Sequence, residues 1–351
     1  MSYDIAIVGA GPAGSTCAAL CAQAGWRTIL IEKSVFPRDK VCGDCLNPAC
    51  WPILDRLGVS DRVRALSHSR LEAVEFNGIG GPTVRFPLPA DPRGEIAIKR
   101  SALDELLMLR AMEAGAEVLQ GAALTQLEEG WRLQAGERAI SAKFLVAADG
   151  RNSTVARLRK LLPTVGKERV GLQTHVPAPA DFGEKVAMHL LPDGYCGVAS
   201  IGEGQLNVCL VAPPAKLPEL KRWAAERFAI APEQTWRTIT PLARAPLPPR
   251  LDNLLLVGDA ARVVEPFTGE GIYYALASGA LAADCLLRDE LAEYPARHRA
   301  LYRGRLWINR LAKAAVLHPR ISTQALRLAQ RWPAALHFLT ARVIHTAGVS
   351  S

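Results

Sequence analysis

Asp4 to Val8 is a short apolar, β-branched run followed at once by Gly9-Ala10-Gly11-Pro12-Ala13-Gly14 and a helical pattern to Ala24. Thr28 to Glu32 then reads as a second buried strand, so strand, glycine turn, helix and strand fit in about thirty residues. Gly9-x-Gly11-x-x-Gly14 in that setting brings backbone amides against a pyrophosphate at the positive end of a helix. Pro12 and Ala13 complete the turn, and Glu32 is placed to accept hydrogen bonds from an adenosine ribose, with Lys33 beside it. The expectation is an α/β, Rossmann-like dinucleotide fold.

A second glycine-framed strand end lies far downstream. Leu254 to Val257 is fully apolar and ends in Gly258-Asp259; then come Pro266-Phe267-Thr268-Gly269-Glu270-Gly271-Ile272 and a helix from Gly271 to Leu287. A nicotinamide dehydrogenase has no use for this second station, but a flavin does. Its ribityl chain needs a hydrogen-bonding carboxylate, for which Asp259 is the candidate, and its reduced ring carries negative charge that a helix N-terminus near Gly269 and Gly271 stabilises. Between these ends the pattern turns to alternating strands: Glu168 to Val176, Lys185 to Leu191, Tyr195 to Ile201 and Leu206 to Ala212. The predicted organisation is a discontinuous cofactor domain (1–70, 95–160, 250–290) with an inserted antiparallel β-sheet substrate domain (71–94, 161–249). A basic helical C-terminal region (291–351) follows.

Together with Val41-Cys42-Gly43-Asp44, Arg100 with Asp104, and Ala148-Asp149-Gly150-Arg151-Asn152-Ser153 with Arg157, these motifs resemble the p-hydroxybenzoate hydroxylase superfamily of FAD-dependent oxidoreductases and monooxygenases. Within it the chain is most similar to the geranylgeranyl reductase branch, over residues 1 to 290. The resemblance implies FAD in a GR2-type fold, bound by the glycine turn, Glu32, Lys33, Cys42, Gly43, Asp44, Arg100, Asp149, Gly150, Gly258, Asp259, Pro266, Gly269, Glu270, Gly271 and Ile272. It also implies a catalytic role for Cys42 near the flavin. Physically, a thiol that is mostly protonated at neutral pH yet readily ionised suits delivery of a proton opposite a hydride. Tyr195 is the second catalytic candidate. It is what remains in Gly194-Tyr195-Cys196-Gly197-Val198-Ala199-Ser200-Ile201 of the Tyr-x-Trp-x-Phe-Pro signature of polyprenyl reductases, whose tryptophan and Phe-Pro pair are absent here.

The expected function is oxidoreduction of an apolar or lipid-like small molecule (isoprenoid, polyketide or carrier-bound), with hydride from reduced flavin saturating a C=C bond. The electron donor is NAD(P)H or a ferredoxin-type reductant. One alternative is a monooxygenase, hydroxylating, epoxidising or halogenase-like, acting through a C4a-oxygen adduct. A non-enzymatic alternative is a prenyl- or acyl-chain binder on the same fold.

Charge narrows the partners. Lys and Arg number 42 against 34 Asp and Glu, a net of +8, yet Tyr294 to Ser351 holds ten basic residues and no acidic one. The remainder is therefore 32 against 34, or −2. Nucleic acid is not the expectation; the basic tail fits an anionic membrane surface or an acidic carrier protein, or a solvated face. Eight scattered cysteines suggest a reducing, cytoplasmic compartment, with peripheral membrane association through the tail. Cys42-x-x-Cys45 has no second pair of suitable spacing, so no metal is expected. The tail histidines His298, His318, His337 and His345 read as surface or amphipathic residues.

Overall fold

A computed structural model describes residues 2–88, 91–163, 169–265, 269–303, 314 and 318–331. An eight-stranded sheet has a parallel centre in the order Leu254–Leu256, Arg138–Ala147, Ser2–Val8, Thr28–Ile31, Glu117–Leu119. The antiparallel strands Arg250–Leu251, Leu124–Glu128 and Arg132–Ala135 complete it. The central strands are apolar almost throughout, as a sheet covered on both faces requires.

Helix Pro12–Gln23 is buried over nearly its whole length and is built from small residues (Ala13, Gly14, Cys17, Ala18, Cys21, Ala22). A helix apolar all round belongs between two layers, and this one is sandwiched by the sheet and helix Gly271–Leu287. Gly279 sets the spacing: a Cβ there would stand 2.2 Å from the Ala13 carbonyl oxygen. The contact joins two sequence ends that lie 266 positions apart.

The seven-stranded second sheet runs Arg237–Ile239, Val170–Pro177, Gln205–Ala212, Gly194–Ser200, Lys185–Leu191, Ala73–Asn77, Thr83–Pro87. Its pairs are antiparallel except Lys185–Leu191 with Ala73–Asn77. Its four long strands match the alternating segments to within one or two residues where they are described. A small third sheet, Cys45–Leu46, Glu95–Ile98 and His68–Leu71, lies beside the cavity.

In the C-terminal region, helices Tyr294–Leu301 and Pro319–Arg331 are described, the latter opening on Pro319. Leu326 packs on the Met188, Leu190 and Tyr195 cluster of the second sheet. Among the described residues no helix is long and apolar enough to cross a membrane. One expectation is corrected here: His298 is buried, not a surface residue, and lies between Tyr294 and Tyr302 with ring centroids 5.5 and 5.4 Å away. Burial, aided by Arg262 and Arg299, pushes its pKa down to about 4. Pro266, His337 and His345 lie outside the described residues, as do most of 304–317 and all of 332–351.

Candidate active site

Four chain segments meet at the carboxyl ends of adjacent parallel strands, where open α/β sheets bind ligands. Gly9 N bonds to Ile31 O (2.7 Å), Ala148 N to Val8 O (2.8 Å) and Val257 N to Ala147 O (3.0 Å), so the glycine turn, Glu32, Asp149 and Gly258 are aligned side by side. A cavity of about 530 Å³ begins there and continues to the second sheet. Its near end is lined by Gly9, Gly11, Glu32, Arg100, Gly258 and Asp259, and its far end by Val74, Phe76, Val186, Met188, Ile239 and Leu242.

The three glycines of the turn do different jobs. Gly9, at φ +105°, would place a Cβ 2.4 Å from Ala148 O, and Gly14 would place one 1.9 Å from Gly9 O. Both are required by backbone packing. A Cβ on Gly11 would meet nothing closer than the Arg38 guanidinium at 3.8 Å, so its bare backbone faces the cavity. This division is what a pyrophosphate-binding turn needs. Gly14 accordingly does not line the cavity, while Pro12, Ala13 and Lys33 do.

Glu32 is 5% exposed and already anchored: Oε2 accepts from Ala10 N (2.9 Å) and Oε1 from Ser34 N (3.1 Å). Arg38 reaches Glu32 (3.5 Å) and Asp104 (3.1 Å), and Arg100 holds Asp104 through Nε and Nη2, both at 2.8 Å. Arg100 also hydrogen-bonds the Cys42 sulfur. Asp259 Oδ2 pairs with Arg151 (2.9 Å), whose other nitrogen donates to Pro241 O. Asp149 serves its own chain, Oδ2 accepting from Thr154 N (2.6 Å) and Val155 N (3.1 Å) at the start of helix Thr154–Leu158.

Lys40, which sequence reasoning missed, shows what is lacking. Its Nζ lies near Gly150, 3.6 Å from where a Cβ on that residue would be, and it lines the cavity. Among the described residues it forms no ion pair. Burial, with Arg100, Arg151 and Arg38 nearby, lowers its pKa. Lys40 shares this end of the cavity with Arg38, Arg100 and Arg151. A half-buried cation without an ion pair among the described residues, beside a bare glycine backbone, suits a bound pyrophosphate, so the residues present fit FAD.

Where the cavity turns toward the second sheet stands Cys42. Its carbonyl accepts from Gln173 Nε2 (2.9 Å), Asn207 Nδ2 (2.8 Å) and Cys209 Sγ (3.4 Å). Burial raises the Cys42 thiol pKa and outweighs the opposing effect of Arg100. Gly43, Asp44, Gly269, Gly271 and Ile272 line the cavity close by. Glu270 is set back: it precedes helix Gly271–Leu287 and faces Glu95, whose pKa is pushed up to about 7 by burial and by Glu270's charge. At the far end the Tyr195 hydroxyl hydrogen-bonds Glu265, itself held by Arg169 at 3.1 and 2.6 Å. Burial and Glu265 push that phenol well above its ordinary pKa.

A dinucleotide cradle opening onto an apolar chamber, with a half-buried thiol between, defines a flavin-dependent oxidoreductase fold. Residues 2–190 match the model of the FAD binding domain family, and the chain belongs to that family. Menaquinone reductase of Mycobacterium tuberculosis is 30% identical over 329 residues, covering 83% of this chain and 78% of that protein. Digeranylgeranylglycerophospholipid reductase 2 of Methanopyrus kandleri is 29% identical over 317 residues, 81% and 76%. Among solved structures, the myxobacterial chondrochloren halogenase superposes with a TM-score of 0.72 at 22% identity, covering 86% of this chain and 80% of that one. A probable FAD-dependent monooxygenase from Pseudomonas aeruginosa superposes with 0.73 at 20% identity, 96% and 100%. At those identities the structures share the fold; the protein is a FAD-dependent oxidoreductase.

Proposed function

We propose that this oxidoreductase saturates a C=C bond of an apolar isoprenoid lipid. The observation that carries the reading is Cys42: a half-buried thiol, its pKa raised so that it keeps its proton, at the junction of the cofactor cradle and the apolar chamber. A protonated thiol there is a proton donor for a reduction. When bound, FAD supplies the hydride. The Gly11 backbone and Lys40 would hold its pyrophosphate, and Asp259, with Arg151, its ribityl hydroxyls. Gln173 and Asn207 fix the Cys42 loop through its carbonyl, which orients the sulfur and limits water access. Val74, Phe76, Val186, Met188, Ile239 and Leu242 receive the isoprenoid chain, and Tyr195, neutral at physiological pH, offers a hydroxyl at the chamber wall. NAD(P)H or a ferredoxin-type protein restores the electrons.

Two relatives named as reductases, of a quinone and of a prenyl lipid, support this reading. The test is strictly anaerobic turnover of the dithionite-reduced holoenzyme with menaquinone and with a digeranylgeranyl lipid, products read by mass spectrometry. Gain of two hydrogens in the isoprenoid chain, read after the quinol is reoxidised and absent from an enzyme-free dithionite control, supports the proposal. Product formed only with oxygen, and carrying it, replaces the proposal with a monooxygenase.

A further inference from the structure

Below the Cys42 loop, the second sheet carries a cluster of polar side chains. Gln173 and His175 stand on Val170–Pro177, opposite Cys209 and Asn207 of Gln205–Ala212. Against them lies Asp44, 1% exposed, in a left-handed conformation at φ 61°. Asp44 Oδ2 is 3.4 Å from both His175 Nε2 and Gln173 Nε2. Its Oδ1 meets no donor among the described residues, although the residue lines the cavity next to Cys42. The Asp44 backbone N–H bonds the Cys42 sulfur. The His175 side chain is 19% exposed, so a single imidazole spans the distance from the buried acid to solvent.

A buried carboxyl oxygen with no partner is expensive, and such groups persist where they do something. We propose that His175 and Asp44 form a proton relay from solvent into the cavity, which recharges Cys42 after each reduction. The proposal rests on the reductase reading, because only a reduction consumes a proton there. The Cys42 thiol gives its proton to the substrate carbon opposite the incoming hydride. Asp44, protonated on Oδ1, passes that proton to the resulting thiolate through a water in the cavity that both line. His175, as imidazolium, refills the carboxylate, and the neutral imidazole then takes a proton from water. One solvent proton is consumed per bond reduced, and no further reductant is needed.

The surroundings favour a carboxyl that holds its proton. Burial raises the Asp44 pKa, and Asp104 adds to this, while His175 and Arg100 oppose it. The other titratable groups facing it are the thiols of Cys42, Cys45 and Cys209.

The test uses full-length holoenzyme and the variants His175→Ala and Asp44→Asn, each checked for flavin content by absorbance. In infrared spectra of the oxidised protein at pH 6, wild type should show a deuterium-sensitive carboxylic acid band that Asp44→Asn lacks. In anaerobic turnover with menaquinone, His175→Ala should fall at least ~10-fold and Asp44→Asn about 100-fold, the scale of a lost proton-transfer group. Added imidazole should restore most of the His175→Ala rate, and the solvent deuterium isotope effect should grow in that variant. Absence of the band, wild-type turnover in His175→Ala, or a slow His175→Ala that imidazole does not rescue each overturns the relay. If wild type itself fails to reduce menaquinone, the reductase reading fails in that substrate, while the infrared arm still judges Asp44.

Discussion

The cradle and the chamber of this cavity are built on different terms. At the cradle, recognition is made by backbone: Gly9, Gly11 and Gly14 act through the side chains they lack, and their spacing is fixed by one turn between one strand and one helix. At the chamber, the wall is made of side chains from strands far apart in sequence, with Val74 and Phe76 on Ala73–Asn77, Val186 and Met188 on Lys185–Leu191, and Ile239 on Arg237–Ile239. A constant ligand, the dinucleotide, can be met by local geometry. A variable one is met by an assembled surface, and substitutions in the two regions should fail in different ways.

The largest expected effect contrasts two glycines of the same turn. Gly14→Val drives Cβ into the Gly9 carbonyl and should destabilise the protein by more than about 4 kcal/mol, giving no soluble yellow protein. Gly11→Ala, with open space before it, should fold within about 1 kcal/mol of wild type yet bind FAD at least ~10-fold more weakly by fluorescence titration. Equal stability loss in both would break the division of roles.

Glu95 tests the boundary between the regions. Its carboxyl is raised from 4.5 to about 7, so the folded protein keeps a proton that the unfolded chain releases. Below pH 4.5 both states are protonated and nothing is lost; as pH rises from 4.5 to 7 about 3 kcal/mol of stability disappears, and above 7 the loss is complete. Glu95→Gln should match wild type near pH 4 and exceed it by up to about 3 kcal/mol at pH 8 in denaturant titrations. Parallel pH profiles would show that Glu95 titrates normally.

Lys40→Met separates binding from folding. Removing a desolvated cation should leave the apoprotein no less stable, while FAD binding weakens about 10-fold, ~1.4 kcal/mol. A fall in apoprotein stability with unchanged FAD affinity would assign Lys40 to the fold instead.

The same contrast explains what could be read in advance. The glycine turn, Glu32, Gly258-Asp259 and the long strands of the second sheet follow from local periodicity and spacing. Gln173, His175 and Asn207 carry no local signal; the second sheet brings them under Cys42, a contact between positions 131 apart for Gln173, and Lys40 is brought to Gly150 across 110 positions. Asp149 illustrates the reverse case. An acidic residue after a strand reads as a ligand for the cofactor; Asp149 does line the cavity, and its carboxylate Oδ2 also caps the backbone of the helix it starts, a second task that the sequence did not signal. His298 read as a surface or amphipathic residue, whereas it is buried between Tyr294 and Tyr302, one helical turn to either side.

Val186→Ala gives the smallest effect and the sharpest separation of the two regions. Val186 is half-buried on the chamber wall and touches no residue of the glycine turn or its acidic partner. Loss of two methyl groups costs an apolar ligand at most a few kcal/mol of contact, and less if the chain shifts to fill the gap. KM for an isoprenoid substrate should therefore rise about 3- to 10-fold with kcat within about twofold, because the lost contact is made equally before and during hydride transfer. FAD affinity should be unchanged. A fall in kcat with KM unaltered would mean that Val186 sets the distance between substrate and reacting centre, and a change in FAD affinity would mean that cradle and chamber are one energetic unit instead of two.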